Sequence, residues 1–415
     1  MATPGRAVIV GGGMAGLCAA AAVHQAFDEV VVLEKDPISA ETTFRKGVPQ
    51  GAHLHSLLVG AQLMLEKLFP GLRAELIAAG AVELRAGLDQ QVYEADSWMP
   101  ERDLGYTILA QSRGMLEREV RRRVHELPGV RFVPGAKVTD VATVDLGRAG
   151  ISFAAGGASE GLVADVLIDA TGVSGAIVKF LGCEIPQDEV ASGVSYVSGM
   201  LRKPAGLARR PENILIVPQP SQSRGGALLD IEDGRWVVSL HGRRGTKPPL
   251  ELAAWRDFAK SLPDTRIWER VKDAELIGEK LTPFNKPVST FRRFDRTSGI
   301  PPFYFPIGDV ITSVNPIFGQ GMAVVAGHAH ALKAAFEGPA ELRARRYLDE
   351  ACAWSERAWR RAYAYDRTFQ PGIGEAAAAA LGALARSRLD GVRNDAALHR
   401  AMFVESQMLP SWAAS

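Results

Sequence analysis

Cysteine is scarce. The 415 residues carry three, Cys18, Cys183 and Cys352, far apart and odd in number. That leaves no disulfide framework and no cysteine-based zinc spacing, and it fits a reducing compartment. An excess of one charge is missing as well. Lys plus Arg number 48 against 47 for Asp plus Glu, so the overall balance gives no reason to expect a nucleic-acid partner. The locally basic run over 113–123 contains Glu117 and Glu119 and reads as a solvated helix face. No apolar stretch is long enough to span a bilayer. Residues 7–10 and 17–23 are apolar, but three consecutive glycines lie between them and a strand follows, which argues against a targeting segment. Internal repeats and low-complexity tracts are absent too. The expectation is a cytoplasmic globular chain with room for two or three domains.

What the chain does have is glycine in two informative places. Ala7-Val8-Ile9-Val10 reads as a short strand buried on both faces. Gly11-Gly12-Gly13-Met14-Ala15-Gly16 follows at once, then an alanine-rich helix over 14–27 and a second strand over 29–33 that ends at Glu34. Gly11-x-Gly13-x-x-Gly16 with an acid about twenty residues on is a dinucleotide fingerprint. Gly11 permits the tight turn, Gly13 lets backbone approach a pyrophosphate, and Gly16 lets helix and strand pack closely. The helix N-terminus offers free N–H groups and a positive dipole end. Glu34 can accept from both ribose hydroxyls, and its charge disfavours a 2′-phosphate. A tight packing turn without ligand is the plainer reading; the flanking strands and the acid favour binding. Nothing here separates FAD from NAD.

The second stretch comes late: Phe305-Pro306-Ile307-Gly308-Asp309-Val310, then Asn315-Pro316-Ile317-Phe318-Gly319-Gln320-Gly321-Met322. A small-residue helix over 322–336 follows. Asp309, at the end of a strand, can bond a polyol. The turn over 316–321 aims backbone N–H groups and a positive dipole end at a flat anion. A loop that merely caps the helix is the alternative.

Between the two stretches, residues 44–58 read as a loop that becomes a helix after 52. His53-x-His55 makes a poor metal pair, because helical i, i+2 spacing points the rings apart and no Cys or carboxylate cluster stands nearby. No metal is expected. Arg45 is better placed as a cation for a pyrophosphate. A strand pair is expected within 81–99, a helix over 115–124 and a strand meander over 131–153. A buried strand over 164–169 then runs into Ala170-Thr171-Gly172. From Cys183 on, runs at 193–201, 213–217, 225–231 and 236–241 are joined by Pro- and Gly-rich turns, which implies a mostly antiparallel sheet. It carries no nucleotide fingerprint and suits a substrate-holding role. Residues 340–369 read as a charged amphipathic helix, and 374–389 as an alanine-rich one, for packing or dimer formation in preference to lying on a membrane surface.

Taken in order, Gly11 to Gly16, Glu34, Arg45-Lys46-Gly47-Val48, Asp169-Ala170-Thr171-Gly172 and Gly308-Asp309 resemble the flavin-dependent monooxygenases of the para-hydroxybenzoate hydroxylase fold. The resemblance runs over residues 5–335. Within that superfamily, residues 47–58 and 315–322 look most like the flavin epoxidases and hydroxylases of polyketide and terpenoid pathways. The implied fold is α/β: a Rossmann-type, GR2-like FAD-binding domain with an inserted, mostly antiparallel substrate sheet and C-terminal helices. The FAD domain is expected from 1–80, 101–182 and 283–336, the substrate domain from 81–100 and 183–282, and the helical region from 337–415.

The resemblance implies FAD contacts at Gly11, Gly13, Met14, Ala15, Gly16, Glu34, Lys35, Arg45, Gly47, Val48, Arg113, Val138, Ala170, Thr171, Gly172, Gly308, Asp309 and Met322. Pro316, Gly319, Gln320 and Gly321 form the flavin-side loop. Arg45 would lie near the pyrophosphate, Gly47 and Val48 would flank the ring, and Arg113 would meet the adenosine half. The loop backbone would face the N1–C2=O edge of the reduced ring, an oxyanion-hole type of stabilisation. Gln320 stands where phenol hydroxylases often carry a lysine, which turns the reading toward the epoxidase-like subset.

The implied activity is that of an FAD-dependent monooxygenase. It would use O2 through a flavin C4a-hydroperoxide to epoxidise or hydroxylate a hydrophobic or aromatic small molecule of secondary metabolism. Oxygen transfer to an alkene needs no protein nucleophile. A phenol would want a base, for which His53, His55 and His241 are candidates. Relatives often place an arginine after the Asp169–Gly172 turn for NADPH; none follows here, so the electron source stays open between NADPH or NADH and a separate flavin reductase. A halogenase would need a Gly-x-Trp-x-Trp-x-Ile-Pro signature, which Gly234-Arg235-Trp236-Val237-Val238-Ser239 does not supply. A reductase of isoprenoid double bonds and a non-redox flavoprotein such as a cyclase share the fold. The expected assembly is a monomer or homodimer.

Overall fold

Arg6–Val10, Glu29–Glu34 and Val166–Asp169 are rich in valine, isoleucine and leucine and are buried almost throughout. Such runs suit parallel strands covered on both faces. The computed structural model describes residues 5–42, 49–204, 210–370 and 375–413, and in it these three strands form the centre of a five-stranded parallel sheet. From one edge the order is Tyr304–Pro306, Val166–Asp169, Arg6–Val10, Glu29–Glu34, Val130–Pro134. The first strand is central, and the chain winds outward from it on both sides. Register then decides where a ligand can sit. Val10 pairs with Leu33 on one side and Asp169 on the other, and Asp169 pairs with Pro306. The turns at Gly11, Ala170 and Gly308 therefore emerge along one edge.

The helix Met14–Val23 lies close against the first strand because Gly16 has no side chain; a Cβ there would run into the Gly11 carbonyl oxygen. Gly11 itself has φ +109°, and a Cβ on it would strike the Ala170 carbonyl oxygen. The helix ends earlier than the expected residue 27. His24 opens a short 3₁₀ turn, His24–Ala26, and its ring bonds the Ala21 carbonyl.

The second sheet has eight strands, ordered Thr312–Ser313, Glu275–Arg292, Gln187–Arg202, Arg235–Gly242, Arg224–Ile231, Asn213–Ile216, Gln90–Glu94, Ser97–Trp98. All neighbours are antiparallel except Asn213–Ile216 with Gln90–Glu94. Helices Leu252–Lys260 and Arg266–Val271 cover it, burying Trp255 and Ile267 with Leu228, Trp236 and Val238. Trp255 also donates from Nε1 to the Val197 carbonyl at 3.1 Å. A smaller meander, Lys137–Val144, Arg148–Ala155, Ala158–Ala164, flanks the parallel sheet.

The expected strand pair within 81–99 is found as Gln90–Glu94 with Ser97–Trp98 at the edge of the large sheet, but Val82–Arg85 lies apart from it and pairs with Thr107–Ala110. Alternation identifies a strand but not its partner. Glu275–Arg292 is one strand that runs across the expected junction at 282/283. The helix expected after residue 52 begins only at Val59. His53 and His55 lie on a non-helical approach, tied sideways to the large sheet by His53 Nδ1 to Ser198 Oγ at 2.8 Å and Leu54 N to Ser239 Oγ at 3.3 Å.

The C-terminal helices complete the fold. Arg343–Arg367 packs on Gly321–Glu337 where Gly327 leaves room for the Trp354 ring. Ala396–Ser406 leads into Gln407, which takes the backbone N–H groups of Val59 and Gly60. The alanine-rich helix, observed as Glu375–Asn394, is held to the chain near its end, where Arg102 donates to the Val392 carbonyl.

A buried charge pair joins these parts. Arg243, from the large sheet, and Asp366, from the helix Arg343–Arg367, have side chains 0% exposed and lie 2.9 Å apart. Asp366 also accepts from Asn315 Nδ2 at 2.7 Å and Ser289 Oγ at 3.1 Å. Phe369 stacks 4.0 Å from the guanidinium. Burial raises the Asp366 carboxyl, and Arg243 and the hydrogen bonds oppose that. Asp366→Ala would leave Arg243 buried without its partner. Urea denaturation should show a loss of about 3–5 kcal/mol, with a smaller loss for Asp366→Asn; near-native stability of the alanine variant would contradict this account.

Candidate functional site

The edge where the parallel strands end opens into a cavity of about 610 Å³. Gly11, Gly13, Met14, Ala15, Glu34, Lys35, Arg113, Val138, Ala170, Thr171 and Gly172 line one part of it. Asp309, Pro316, Gly319, Gln320, Gly321 and Met322 line another, so both glycine stretches face a single space. Gly16 and Gly308 do not line it and are buried behind it. Arg45, Gly47 and Val48 lie outside the described residues.

Two helices begin at this cavity without a side-chain cap. Met14–Val23 starts after Gly13, and Gly321–Glu337 starts after Gln320. Their first N–H groups have no partner within their own helices, and both dipoles direct positive charge into the cavity. Gln320 Oε1 is buried with no partner among the described residues, a polar atom left over in the wall.

Glu34 is buried and is held by backbone N–H groups of the first glycine loop and of the turn that follows its own strand. Gly12 N donates to Oε2 at 2.7 Å and Asp36 N to Oε1 at 2.9 Å. An ionised carboxylate has further lone pairs for a ligand. Asp169, on the neighbouring strand, points away from the space. It accepts from Thr171 N, Thr171 Oγ1 and Tyr304 Oη at 3.0, 2.6 and 2.7 Å, which shapes the turn that does line the cavity. Arg113 leans on Glu117 at 3.3 Å, and Glu117 in turn meets Arg121 at 2.6 Å. Burial raises the Asp309 carboxyl, while Lys286 and then Arg113 pull it down.

Three residues in or behind this wall were not among the expected contacts. Lys286, from Glu275–Arg292, brings an ammonium into the cavity wall and donates to Ser313 Oγ at 2.6 Å. Burial lowers its pKa, against the nearby Asp309. Asn315 bonds Ile317 N through Oδ1 and Asp366 through Nδ2, which ties the second loop to the buried pair. His328 sits behind Gly308. Gly308 N donates to its Nδ1 at 3.0 Å, and its Nε2 meets Ser355 Oγ at 3.0 Å. Its signal was only a histidine in an otherwise small-residue helix.

A second cavity of about 190 Å³ adjoins the first, sharing Leu54, Ser56, Tyr196, Pro316 and Gly319 with it. Its walls are mostly apolar and come from the large sheet (Val92, Leu215, Val217, His241), the second loop (Ile317, Phe318) and the C-terminal helices (Arg361, Met402, Phe403). The three candidate histidines now separate. His55 lines the first cavity, His241 the second, and His53 lies buried against Tyr196 and Phe284. Burial lowers His53 and His241 to about 4 and His55 to about 3. All three are neutral near pH 7, suited to hydrogen bonding more than to storing a proton.

Residues 6–192 match the family model described as an FAD binding domain. The chain is 32% identical over 352 residues to Protein Rv3254 of Mycobacterium tuberculosis (strain ATCC 25618 / H37Rv), covering 79% of this chain and 73% of that one. Among solved structures it is similar to the flavin-dependent brominase Bmp2, with TM-score 0.71 and 15% identity over 100% of this chain and 96% of the other. It is also similar to p-nitrophenol 4-monooxygenase PnpA from Pseudomonas putida DLL-E4, with TM-score 0.68 and 16% identity over 98% and 99%. The fold is thus that of the flavin-dependent monooxygenases and halogenases, a parallel-sheet nucleotide domain with an added antiparallel sheet.

The His328 contact makes the second loop acid-sensitive. Burial holds this imidazole at about 3, and an imidazolium could no longer accept from Gly308 N. The unfolded chain takes up the proton near about 6.5. The contribution is therefore full above that value and is lost as pH falls toward about 3. His328→Asn, which keeps an acceptor near Nδ1, should flatten this part of the melting-temperature profile between pH 7 and 4. His328→Leu should cost about 1–3 kcal/mol by leaving the Gly308 N–H unsatisfied. Profiles of equal slope in wild type and His328→Asn would count against it.

Proposed function

Because the chain belongs to the same family as Protein Rv3254 and carries an FAD binding domain in this fold, we propose that it is an FAD-dependent monooxygenase, inserting one oxygen atom of O2 into a hydrophobic or aromatic small molecule by epoxidation or hydroxylation. The observation that carries the reading is the pair of adjoining cavities. A long cofactor held by both glycine stretches would bring its ring end to Pro316 and Gly319, the residues that also wall the apolar second cavity.

The residues present fit the cofactor. The uncapped start of Met14–Val23 would take the pyrophosphate, and Glu34 the adenosine ribose. Asp309 has no hydrogen-bonding partner for its carboxylate among the described residues and would take the ribityl hydroxyls. The start of Gly321–Glu337, with Lys286 nearby, would place positive charge at the ring edge. Arg45, Gly47 and Val48 remain part of this proposal through the resemblance.

When bound and reduced, FAD supplies the activation of O2 and the transfer of one oxygen atom. Electrons would come from NADPH or NADH, or from a separate flavin reductase. The chain's own residues orient and desolvate. Tyr196 stands on the shared wall, and burial raises its phenol, which stays a hydrogen-bond donor. His241, neutral in the second cavity, would accept from a substrate hydroxyl. Leu54, Val217 and Phe318 exclude water.

The purified protein should be yellow and release FAD on denaturation. With NADH, NADPH or a flavin reductase, its O2 uptake should couple to an oxygenated product from a panel of polyenes and aromatics. Bound FAD without any coupled oxygenation would move the assignment to a reductase or a non-redox flavoprotein. Asp309→Ala should weaken FAD binding about tenfold or more while leaving the circular dichroism unchanged, because it removes charge-assisted bonds to the cofactor alone. Unaltered FAD affinity would remove Asp309 from the site.

A further inference from the structure

Among the described residues, one cation in the second cavity has no ion-pair partner. Arg361, on Arg343–Arg367, is half-buried in its wall. The guanidinium lies 4.2 Å from the centre of the Phe318 ring, on the turn Pro316–Phe318 of the second loop. Among the described residues its one hydrogen bond is long, NH1 to the Ser406 carbonyl at 3.4 Å, and it forms no ion pair. Burial lowers its pKa; Glu94 and Glu405 act against that from beyond ion-pair distance, and Arg388 reinforces it. Glu94 lines the same cavity. A guanidinium drawn partly out of water, with donors to spare, is costly unless an anion meets it. Its planar fork matches a carboxylate through two parallel bonds.

We propose that this cavity takes an apolar small molecule bearing a carboxylate, with the carboxylate on Arg361 and the apolar body against Tyr196, Leu215 and Val217. The inference deepens the oxygenase reading and rests on it for calling the occupant a substrate. Occupancy itself does not depend on turnover.

The test is calorimetric titration of the FAD-loaded protein with 1-naphthoate and 2-naphthoate, each beside its neutral amide of the same shape. At least one naphthoate should bind about tenfold or more tighter than its amide, the effect of a charge-assisted pair. Arg361→Gln should abolish that preference, and Glu94→Gln, which removes a like charge, should strengthen naphthoate binding. Equal binding of acid and amide, an unchanged preference in Arg361→Gln, or no binding of either naphthoate by protein that holds FAD would overturn the proposal. Visible absorbance of the same samples scores the flavin separately, so failure of the cofactor reading and failure of the carboxylate pocket are distinct results.

Discussion

Parallel register is the constraint on which the rest of this molecule depends. Val10 lies opposite both Leu33 and Asp169, and Asp169 lies opposite Pro306. Because the strands point the same way, their exits share one edge, and three turns from distant parts of the chain open onto one cavity. A shift of one residue would move a strand's exit by about 3.3 Å along its axis and carry its turn out of line with the others. Gly11 and Gly16 keep that edge compact, since larger residues would push helix and strand apart.

The second requirement is that the late loop be held from behind. Asn315 reaches Asp366, Asp366 pairs with Arg243, and His328 accepts from Gly308. These groups come from the large sheet, the C-terminal helix and the helix that the loop itself begins. Buried polar contacts of this kind are costly when broken and contribute little when merely counted. Their effect here is to fix one conformation of a loop that walls two cavities. The C-terminal helices are therefore part of the site's architecture, through Asp366 behind the loop and Arg361 in the second cavity.

Much of the nucleotide half was legible in the residues. The Gly11-x-Gly13-x-x-Gly16 turn, Glu34 and the Gly308–Met322 stretch are local signals, because each depends on backbone conformation and strand-end position within a few residues. The match of residues 6–192 to the FAD binding domain agrees with the early part of that reading. Lys286 and His328 were not legible. One is a lysine in an ordinary strand and the other a histidine in an ordinary helix, and what makes each unusual is burial beside a loop far away in sequence. The helix expected after residue 52 failed for the same reason. Bonds from His53 and Leu54 to Ser198 and Ser239 hold that segment off its own helix.

The sequence by itself determined the early βαβ unit, the two glycine stretches and the run of strands that holds no nucleotide signal. These are set by short-range patterns of burial, turn chemistry and charge. Only the tertiary structure decided which strands pair, that Gln90–Glu94 runs parallel to Asn213–Ile216, and that Pro316 and Gly319 stand between two cavities. It also decided that Arg361 faces the smaller one. The physical reason is that pairing and burial between distant segments are choices among many partners of similar local propensity. Such choices are resolved by the packing of the whole chain, and no local pattern records them.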